Sequence, residues 1–188
     1  MDIIIEKAKQ GDMAAFEQLV LKYQSVIYNT ALKICSNPDD AYDISQEALL
    51  KIYNNIQYFE GKSKFSTWIY RIVTNTALDY IKKYRKSNVF SLNAQMDDEG
   101  DSYIENIRDD SPTPEEVIDS EETKKLVHQA LDKLSPDHKA ILVLRDINGL
   151  SYEEIAEVLM LSTGTVKSRI NRARNALYEI ISKNKELF

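Results

Sequence analysis

The stretch SYEEIAEVLMLSTGTVKSRINRAR, from Ser151 to Arg174, predicts two short helices joined by a tight turn. Ser151 and Glu154 have the spacing of a capping box, which predicts that the first helix begins here. Ser162 opens the second helix, and no acidic residue follows it until Glu179. The cations before that acid are Lys167, Arg169, Arg172 and Arg174. Two short helices of which the second is basic are typical of a helix-turn-helix.

An ordinary helical hairpin with a solvated basic face is the simplest alternative for this stretch, because charge runs on helices usually mean no more than that. The small residues at 162–165, STGT, favour a functional interpretation. They leave the amide groups at the N-terminus of the second helix open to a phosphate, which the helix dipole also attracts. We therefore interpret the second helix as a DNA-recognition helix.

Length and composition limit the class of protein. The chain has 188 residues, 43% of them hydrophobic, which allows one or two small folded domains. Cys35 is the single cysteine, so no internal disulfide can form, and His128 and His138 have no cysteine near them to complete a zinc site. We find no signal peptide and no apolar run of about 18 residues, and therefore predict a soluble cytoplasmic protein with no membrane insertion, no metal and no cofactor.

The negative charge of the chain is concentrated in one segment. The net charge is -6, but residues 97–122 contain twelve Asp or Glu residues and one Arg, a net charge of -11, so the rest of the chain carries +5. This segment also contains Gly100, Pro112 and Pro114. We predict an acidic, flexible linker at residues 91–122 between a first domain at 1–90 and a second domain at 123–188.

Helical periodicity continues on both sides of the linker, and no segment alternates as a strand does. Capping signals predict helices from Asp2 to Gly11, from Asp12 to about Ile34, and from Pro38 to Gln57. A loop at 58–65 precedes a helix that we expect to run from Thr67, capped by Ser66, to about Lys86. The second domain is predicted to contain helices at 123–134 and 136–147 before the helix-turn-helix. Ser135 caps the second of these, Pro136 lies in its first turn, and Ile147 faces inward. The fold class is therefore all-α, with two small helical domains.

Two further surfaces are polar beyond what folding requires. Asp43, Gln46 and Glu47 cluster on the third helix, for which a solvated acidic face is the simpler explanation. Tyr42 and Leu49, with Leu50 and Tyr53, lie off its buried stripe and indicate a possible partner surface. The residues predicted to form that stripe are Ala41, Ile44, Ala48, Ile52 and Ile56. From residue 62 to 86 there are seven bases and one acid, interleaved with aromatic residues, a pattern that suits single-stranded or melted nucleic acid.

Three motifs now support a resemblance to a known family. The segments DAYDISQEALLKIYNNI, FSTWIYRIVTNTALDYIKK and LSPDHKAILVLRDINGLSYEEIAEVLMLSTGTVKSRINRAR resemble, in order, those of extracytoplasmic-function sigma factors of the bacterial sigma-70 family. The similarity spans residues 11–177 apart from the linker. The family normally has glycine in the helix-turn-helix turn where this chain has Met160, so a strained turn is expected.

The resemblance implies a role for each surface. Core RNA polymerase would be bound by Asp43, Gln46, Glu47 and Leu50. The promoter -10 element would be bound by Phe65, Asn75, Asp79, Lys82 and Lys83, and by the loop from Phe59 to Phe65. The -35 element would be bound by Ser162, Thr165, Lys167, Ser168, Arg169, Arg172 and Arg174. A membrane-linked anti-sigma factor and a part in the stress response are also expected of this family.

The predicted function is therefore that of a sigma factor, a non-catalytic subunit that directs promoter recognition and transcription initiation. A conventional helix-turn-helix transcriptional regulator is the alternative, but it would need a sensor or dimerisation element. A nuclease or recombinase would need a catalytic constellation, which the sequence lacks.

The acidic linker has two open explanations. Its charge either covers the basic surfaces of the free protein or only keeps a tether soluble and extended. Binding of a variant with neutralised linker acids to duplex promoter DNA at low salt would separate the two explanations.

Overall fold

A computed structural model describes residues 2–89 and 121–185 of the chain, and within these ranges the fold is all-helical. The helices are α1 (Ile3–Lys9), α2 (Met13–Cys35), α3 (Pro38–Asn55), α4 (Phe65–Val89), α5 (Glu121–Asp132), α6 (Pro136–Leu142), α7 (Tyr152–Leu159) and α8 (Thr163–Lys185). We call α1–α4 the first lobe and α5–α8 the second lobe. The predicted linker lies outside the described residues, except that Glu121 and Glu122 already belong to α5.

The first lobe is built on α2, α3 and α4, whose apolar stripes meet in one core. Helix starts follow the capping signals: Asp12 Oδ1 accepts a hydrogen bond from the Ala15 amide at 3.1 Å, and Asn37 caps α3. The predicted core stripe of α3 is confirmed, because every member is at least 96% buried. Its members are Ala41, Ile44, Ala48, Ile52 and Ile56.

The start of α4 differs from the prediction. The helix begins at Phe65 and not at Thr67, so Ser66 lies inside its first turn and is not its cap. The amide of Trp68 donates to the carbonyl of Lys64 at 3.1 Å, which extends the helical hydrogen bonding back to the end of the loop. Phe65, the first residue of this helix, is buried in the core of the first lobe.

The second lobe contains a π-helical turn that the sequence pattern did not indicate. Ser135 and Pro136 start α6 as predicted, but after Leu142 the chain widens into a π-turn at Val143–Ile147. The wider turn changes the angular position of the residues that follow. Ile147, predicted to face inward, is consequently 42% exposed.

The turn of the helix-turn-helix is formed with a non-glycine residue in the left-handed conformation. Ser151 and Glu154 form the predicted capping box at the start of α7. At the end of α7, Met160 has φ 56° and ψ 44°, and its side chain is 79% exposed. The expected strain is therefore present, and few contacts of the methionine side chain offset it.

The two lobes pack directly against each other, with α4 on α7 and with α2 and α4 on α6. Ala140 and Val143 have no exposed surface and join the hydrophobic core of the first lobe. In the opposite direction, Tyr70 of α4 packs against the core of the second lobe. The lobes thus share buried apolar surface and form a direct interface.

A polar cluster closes one edge of this interface. The ammonium of Lys139, whose side chain is 7% exposed, lies 2.7 Å from Asp132 Oδ1 and also donates to Ser36 Oγ. The Ser36 hydroxyl donates in turn to Asp132. A buried cation needs such partners, and the three residues tie the end of α2 to the second lobe.

We find no helix within residues 2–89 and 121–185 that is long and apolar enough to cross a membrane.

Replacing Met160 by glycine is expected to stabilise the protein by about 1 kcal/mol, because a left-handed residue with a side chain costs about 1 to 2 kcal/mol. Met160→Ala is the matched control, since it shortens the side chain but keeps the Cβ atom that causes the strain. Urea unfolding followed by far-UV circular dichroism measures both. A glycine variant no more stable than the alanine variant would contradict this account of the turn.

Candidate nucleic-acid interface

Small side chains with hydroxyl groups surround the N-terminus of α8. Ser162 Oγ accepts a hydrogen bond from the Thr165 amide at 3.1 Å and lies 2.8 Å from Thr165 Oγ1. Ser168 Oγ donates to the carbonyl of Thr165 at 2.9 Å. These bonds satisfy the first turn with small side chains that remain near the surface, so a phosphate can approach this end of the helix.

Four of the predicted -35 residues share one face of α8. Thr165, Ser168, Arg169 and Arg172 are spaced i, i+3, i+4 and i+7, which aligns them along a helix. The buried residues Val166 and Ile170 lie on the adjoining face, packed in the core of the second lobe. The two arginines of this face therefore stand on one side of the helix, about one turn apart.

Lys167 and Arg174 lie on the opposite flank of α8, so the four cations do not form one continuous surface. Arg174 Nη2 lies 2.7 Å from Asp146 Oδ1, in the π-turn after α6. This ion pair links α8 to the neighbouring element and gives Arg174 a role in packing. Lys167 is exposed on the same flank.

His138 of α6 lies beside the arginine face and was not expected there. Its partial burial, and next the positive charge of Arg172, lower the pKa of His138, and Arg169 acts in the same direction. The lowered pKa favours the neutral imidazole beside these two cations. No local pattern predicts this neighbour, because His138 and the two arginines lie on different helices, far apart in the chain.

The predicted -10 residues of α4 lie on one exposed face. Asn75, Asp79, Lys82 and Lys83 are all exposed and are spaced i, i+4, i+7 and i+8. This face carries two cations, one acid and one amide, which suits a nucleic-acid strand better than an apolar partner.

Phe65 is not part of that exposed face, which corrects the prediction that it lies in a loop. It begins α4 and is only 6% exposed. Its ring packs edge-on against Tyr23 and Phe59, with centroids 5.5 and 5.2 Å away, and lies 5.4 Å from the ring of Trp68. Phe65 is therefore a core residue that packs among aromatic side chains.

The acidic group on α3 also forms one face. Asp43, Gln46, Glu47 and Leu50 are spaced i, i+3, i+4 and i+7, and all four are exposed. Leu50 is 63% exposed, and the Glu47 carboxylate pairs with Lys51 at 2.7 Å. An exposed leucine among acids forms an apolar centre with a charged rim, the usual make-up of a protein interface.

Two lysines in the loop before α4 are placed beside the second lobe. Lys64 Nζ lies 2.9 Å from Glu154 Oε1 of α7, and Lys62 pairs with Glu60 inside the loop. The basic character of the loop was visible in the sequence, but the partner of Lys64 was not. Within the described parts of the chain, no group of three His, Cys, Asp or Glu side chains is arranged to hold a metal ion.

Comparison with protein families gives two matches along the chain. The family model described as Sigma-70 region 2 matches residues 19–87, and the model described as Sigma-70, region 4 matches residues 124–177. The first falls on the first lobe and the second on the second lobe.

Similar proteins cover nearly the whole chain. It is 38% identical to the RNA polymerase sigma-H factor of Pseudomonas aeruginosa, across 93% of this chain and 90% of that protein. It is 38% identical to the ECF RNA polymerase sigma factor SigW of Bacillus subtilis, across 92% of each. It is 35% identical to the ECF RNA polymerase sigma-E factor of Escherichia coli K12, across 93% of this chain and 91% of that protein.

Solved structures share the fold. The sigma factor RpoE of Bartonella quintana, in complex with the anti-sigma factor NepR, has a TM-score of 0.64 and 26% identity, covering 89% of this chain and 96% of that chain. CnrH, in complex with the cytosolic domain of CnrY, has a TM-score of 0.66 and 24% identity, covering 96% of each chain.

Phe65→Ala is expected to destabilise the first lobe by about 3 to 5 kcal/mol, because it leaves a cavity in the aromatic cluster. Tyr58→Ala is the control, since Tyr58 is an aromatic residue of the same segment that is 71% exposed; its loss should cost about 0.5 kcal/mol or less. The fluorescence of the single tryptophan, Trp68, reports unfolding in urea beside the mutated site. Equal stability of the two variants would contradict the assignment of Phe65 to the core.

Proposed function

The chain belongs to the sigma-70 family, in its extracytoplasmic-function group, and from that premise we propose how its two lobes divide the recognition of a promoter. It is an RNA polymerase sigma factor, which directs promoter recognition and transcription initiation. In our proposal residues 1–90 bind core polymerase and the -10 element, residues 123–188 bind the -35 element, and residues 91–122 join them. The observation that carries this division is the match of region 2 and region 4 to the two lobes in that order.

The polymerase-binding surface in this proposal is the acidic face of α3, defined by Asp43, Gln46, Glu47 and Leu50. Its support is the exposure of all four side chains on one side of the helix, away from the buried stripe. Burial of Leu50 on docking would supply apolar contact, and the surrounding acids would select a basic partner surface. Replacing one acid therefore tests docking without disturbing the core.

The -10 surface in this proposal is the exposed face of α4 with Asn75, Asp79, Lys82 and Lys83, together with the lysines of the preceding loop. Lysines attract the phosphate backbone whatever the sequence, while amide and carboxylate groups can distinguish base edges. Phe65 takes no part in this surface as long as it stays in the aromatic core.

The -35 surface in this proposal is the face of α8 formed by Thr165, Ser168, Arg169 and Arg172, with Ser162 at the helix start. Arginine is the residue that most often reads guanine in the major groove, and hydroxyl groups can bind phosphates or bases. Lys167 stands on the other flank, where a phosphate contact suits it better. In our proposal Arg174 stabilises the position of α8 through its ion pair with Asp146 and is not part of this surface.

We further propose that the chain carries out no chemistry itself and acts in the cytoplasm, where core polymerase and promoter DNA are found. An anti-sigma factor is a proposed partner, supported by the similar fold of RpoE, which was solved with the anti-sigma factor NepR. No observation favours the alternative of a conventional helix-turn-helix regulator.

Asp43→Arg is expected to weaken binding to core polymerase roughly tenfold or more, because it reverses a charge at the docking surface. The fold should remain intact, since Asp43 is exposed. Glu179→Arg, the same reversal at an exposed position of α8, is the control for total charge. A titration of labelled core polymerase, with circular dichroism of each variant, measures the effect. Unchanged affinity of a folded Asp43→Arg variant would leave α3 with a merely solvated acidic face.

Arg169→Ala is expected to weaken recognition of one base pair of the -35 element by about 1 to 3 kcal/mol. The preference for that base should be relaxed accordingly. Lys167→Ala, on the opposite flank of the same helix, should weaken all -35 sequences alike. Transcription in vitro from a set of single-base -35 variants separates the two patterns. Uniform weakening by Arg169→Ala would show that Arg169 contacts phosphate and does not read a base.

A further inference from the structure

His138 of α6 is a half-buried histidine beside the proposed -35 surface but outside the helix-turn-helix. It lies three residues before Ile141 and four before Leu142, which places the three side chains on one side of α6. Both of the later residues are buried in the core of the second lobe. His138 therefore lies at the N-terminal edge of the face that α6 turns toward that core.

Helix α8 packs against α6 and contributes to the same core. Its residues Val166, Ile170 and Ala173 are fully buried there. Arg169 lies three residues after the first of them and four before the last, so it borders the buried stripe and is itself half-buried. Arg172, about one turn further on, is exposed. The arginine face of α8 thus begins where the contact with α6 ends.

The groups around His138 disfavour its protonated form. Partial burial lowers the pKa of the imidazole, and the positive charge of Arg172 lowers it further. Asp137, the neighbour of His138 on α6, raises this pKa, whereas Arg169 again lowers it. Residues 163–178 of α8 include no acid, so this helix adds only positively charged side chains.

A DNA phosphate bound at this face would reverse that balance. An opposite charge within about 4 to 6 Å of a titratable group favours the charged form of that group. The imidazolium ion donates hydrogen bonds from both ring nitrogens, and phosphate oxygens are strong acceptors for them. The same residue would therefore gain positive charge when DNA approaches the two arginines.

We propose that His138 is a phosphate contact of the -35 surface, and that binding of the -35 element takes up a proton at its imidazole. The inference rests on the proposed -35 role of the arginine face of α8. It adds to that surface a residue from the helix that supports the helix-turn-helix. It also makes recognition of the -35 element depend on pH, because bound protons and bound DNA then favour each other by the same factor.

The direction of the pH dependence follows from the two states of His138. Without DNA, burial and the two arginines lower the pKa of the imidazole, and with DNA the phosphate raises it. Affinity for DNA should therefore rise as pH falls through the pKa of the DNA-bound form. It should level off below the pKa of the DNA-free form, where the imidazole is protonated in both states. At high pH the neutral imidazole should contribute little.

The experiment measures the affinity of the holoenzyme for a fluorescein-labelled promoter duplex. Core polymerase is combined with full-length wild type or variant, and the duplex is one that the wild-type holoenzyme selects from a randomised pool. Binding is read by fluorescence anisotropy over roughly pH 5 to 8, the range in which histidine changes charge. Effects of pH on core polymerase itself cancel in the ratio of variant to wild type.

His138→Gln removes the titrating group and keeps a polar side chain. It should bind like wild type at high pH and roughly three- to tenfold more weakly at low pH, as a moderate change in the pKa of one histidine implies. His138→Arg carries a permanent charge, so at high pH it should bind as tightly as wild type does at low pH. His128→Gln is the matched control, because it removes the other histidine of the chain, an exposed residue of α5 near Asp132. It should keep the wild-type pH dependence.

The salt dependence of the same affinities shows whether the contact is with phosphate. On a logarithmic scale, affinity falls with salt concentration with a slope of about 0.9 for each phosphate that a protein neutralises on duplex DNA. The wild-type slope should therefore be steeper at low pH than at high pH, by up to about 0.9. His138→Gln should have the same slope at both. A residue that only positions α8 would change the affinity and leave the slope unchanged.

Three results would overturn the role of His138. These are equal pH dependence of wild type and His138→Gln, loss of the pH dependence in His128→Gln, and weaker binding by His138→Gln at every pH with an unchanged salt slope. Circular dichroism verifies that each variant keeps the wild-type helical content. His138→Asn, a second neutral variant, provides the same comparison if glutamine disturbs α6.

Arg169→Ala in the same assay distinguishes this inference from the proposed function on which it rests. If Arg169→Ala leaves the affinity for the duplex unchanged, the -35 role of the α8 face is rejected. If Arg169→Ala weakens binding while one of the three results above is obtained, the -35 surface stands and only the phosphate contact of His138 is rejected.

Discussion

The packing of α6 and α7 of the second lobe against α2 and α4 of the first is the contact on which the arrangement of the two lobes depends. Ala140 and Val143 are completely buried there, and the small side chain at 140 lets the helices approach closely. The neighbouring Lys139 is buried with them, and its charge is compensated by Asp132 and Ser36. These contacts fix α7 beside the start of α4, so the ion pair between Lys64 and Glu154 follows from the packing and does not cause it.

The packing of the two lobes leaves the candidate binding surfaces exposed to different degrees. The loop before α4 faces the carboxylates of α7, whereas the acidic face of α3 and the exposed face of α4 keep their side chains in solvent.

Backbone strain is concentrated at two helix ends that set the directions of the next elements. Ser36 has φ 62° and Met160 has φ 56°, both in the left-handed region without being glycine. Ser36 joins α2 to α3 and contributes its hydroxyl to the polar cluster between the lobes, while Met160 forms the turn of the helix-turn-helix. Each residue costs about 1 to 2 kcal/mol, which the surrounding packing has to offset.

The sequence by itself determined the all-helical fold, the caps at Asp12, Ser135 and Ser151, and the buried stripe of α3, because these depend on residues within a turn or two of each other. It also indicated the family and the helices that carry the candidate surfaces. Only the tertiary structure decided that Phe65 is a core residue, that Ile147 at the end of the π-turn is exposed, and that Lys64 meets Glu154. These facts depend on partners far away along the chain, or on a local change of helical period, and neither leaves a repeating pattern in the sequence.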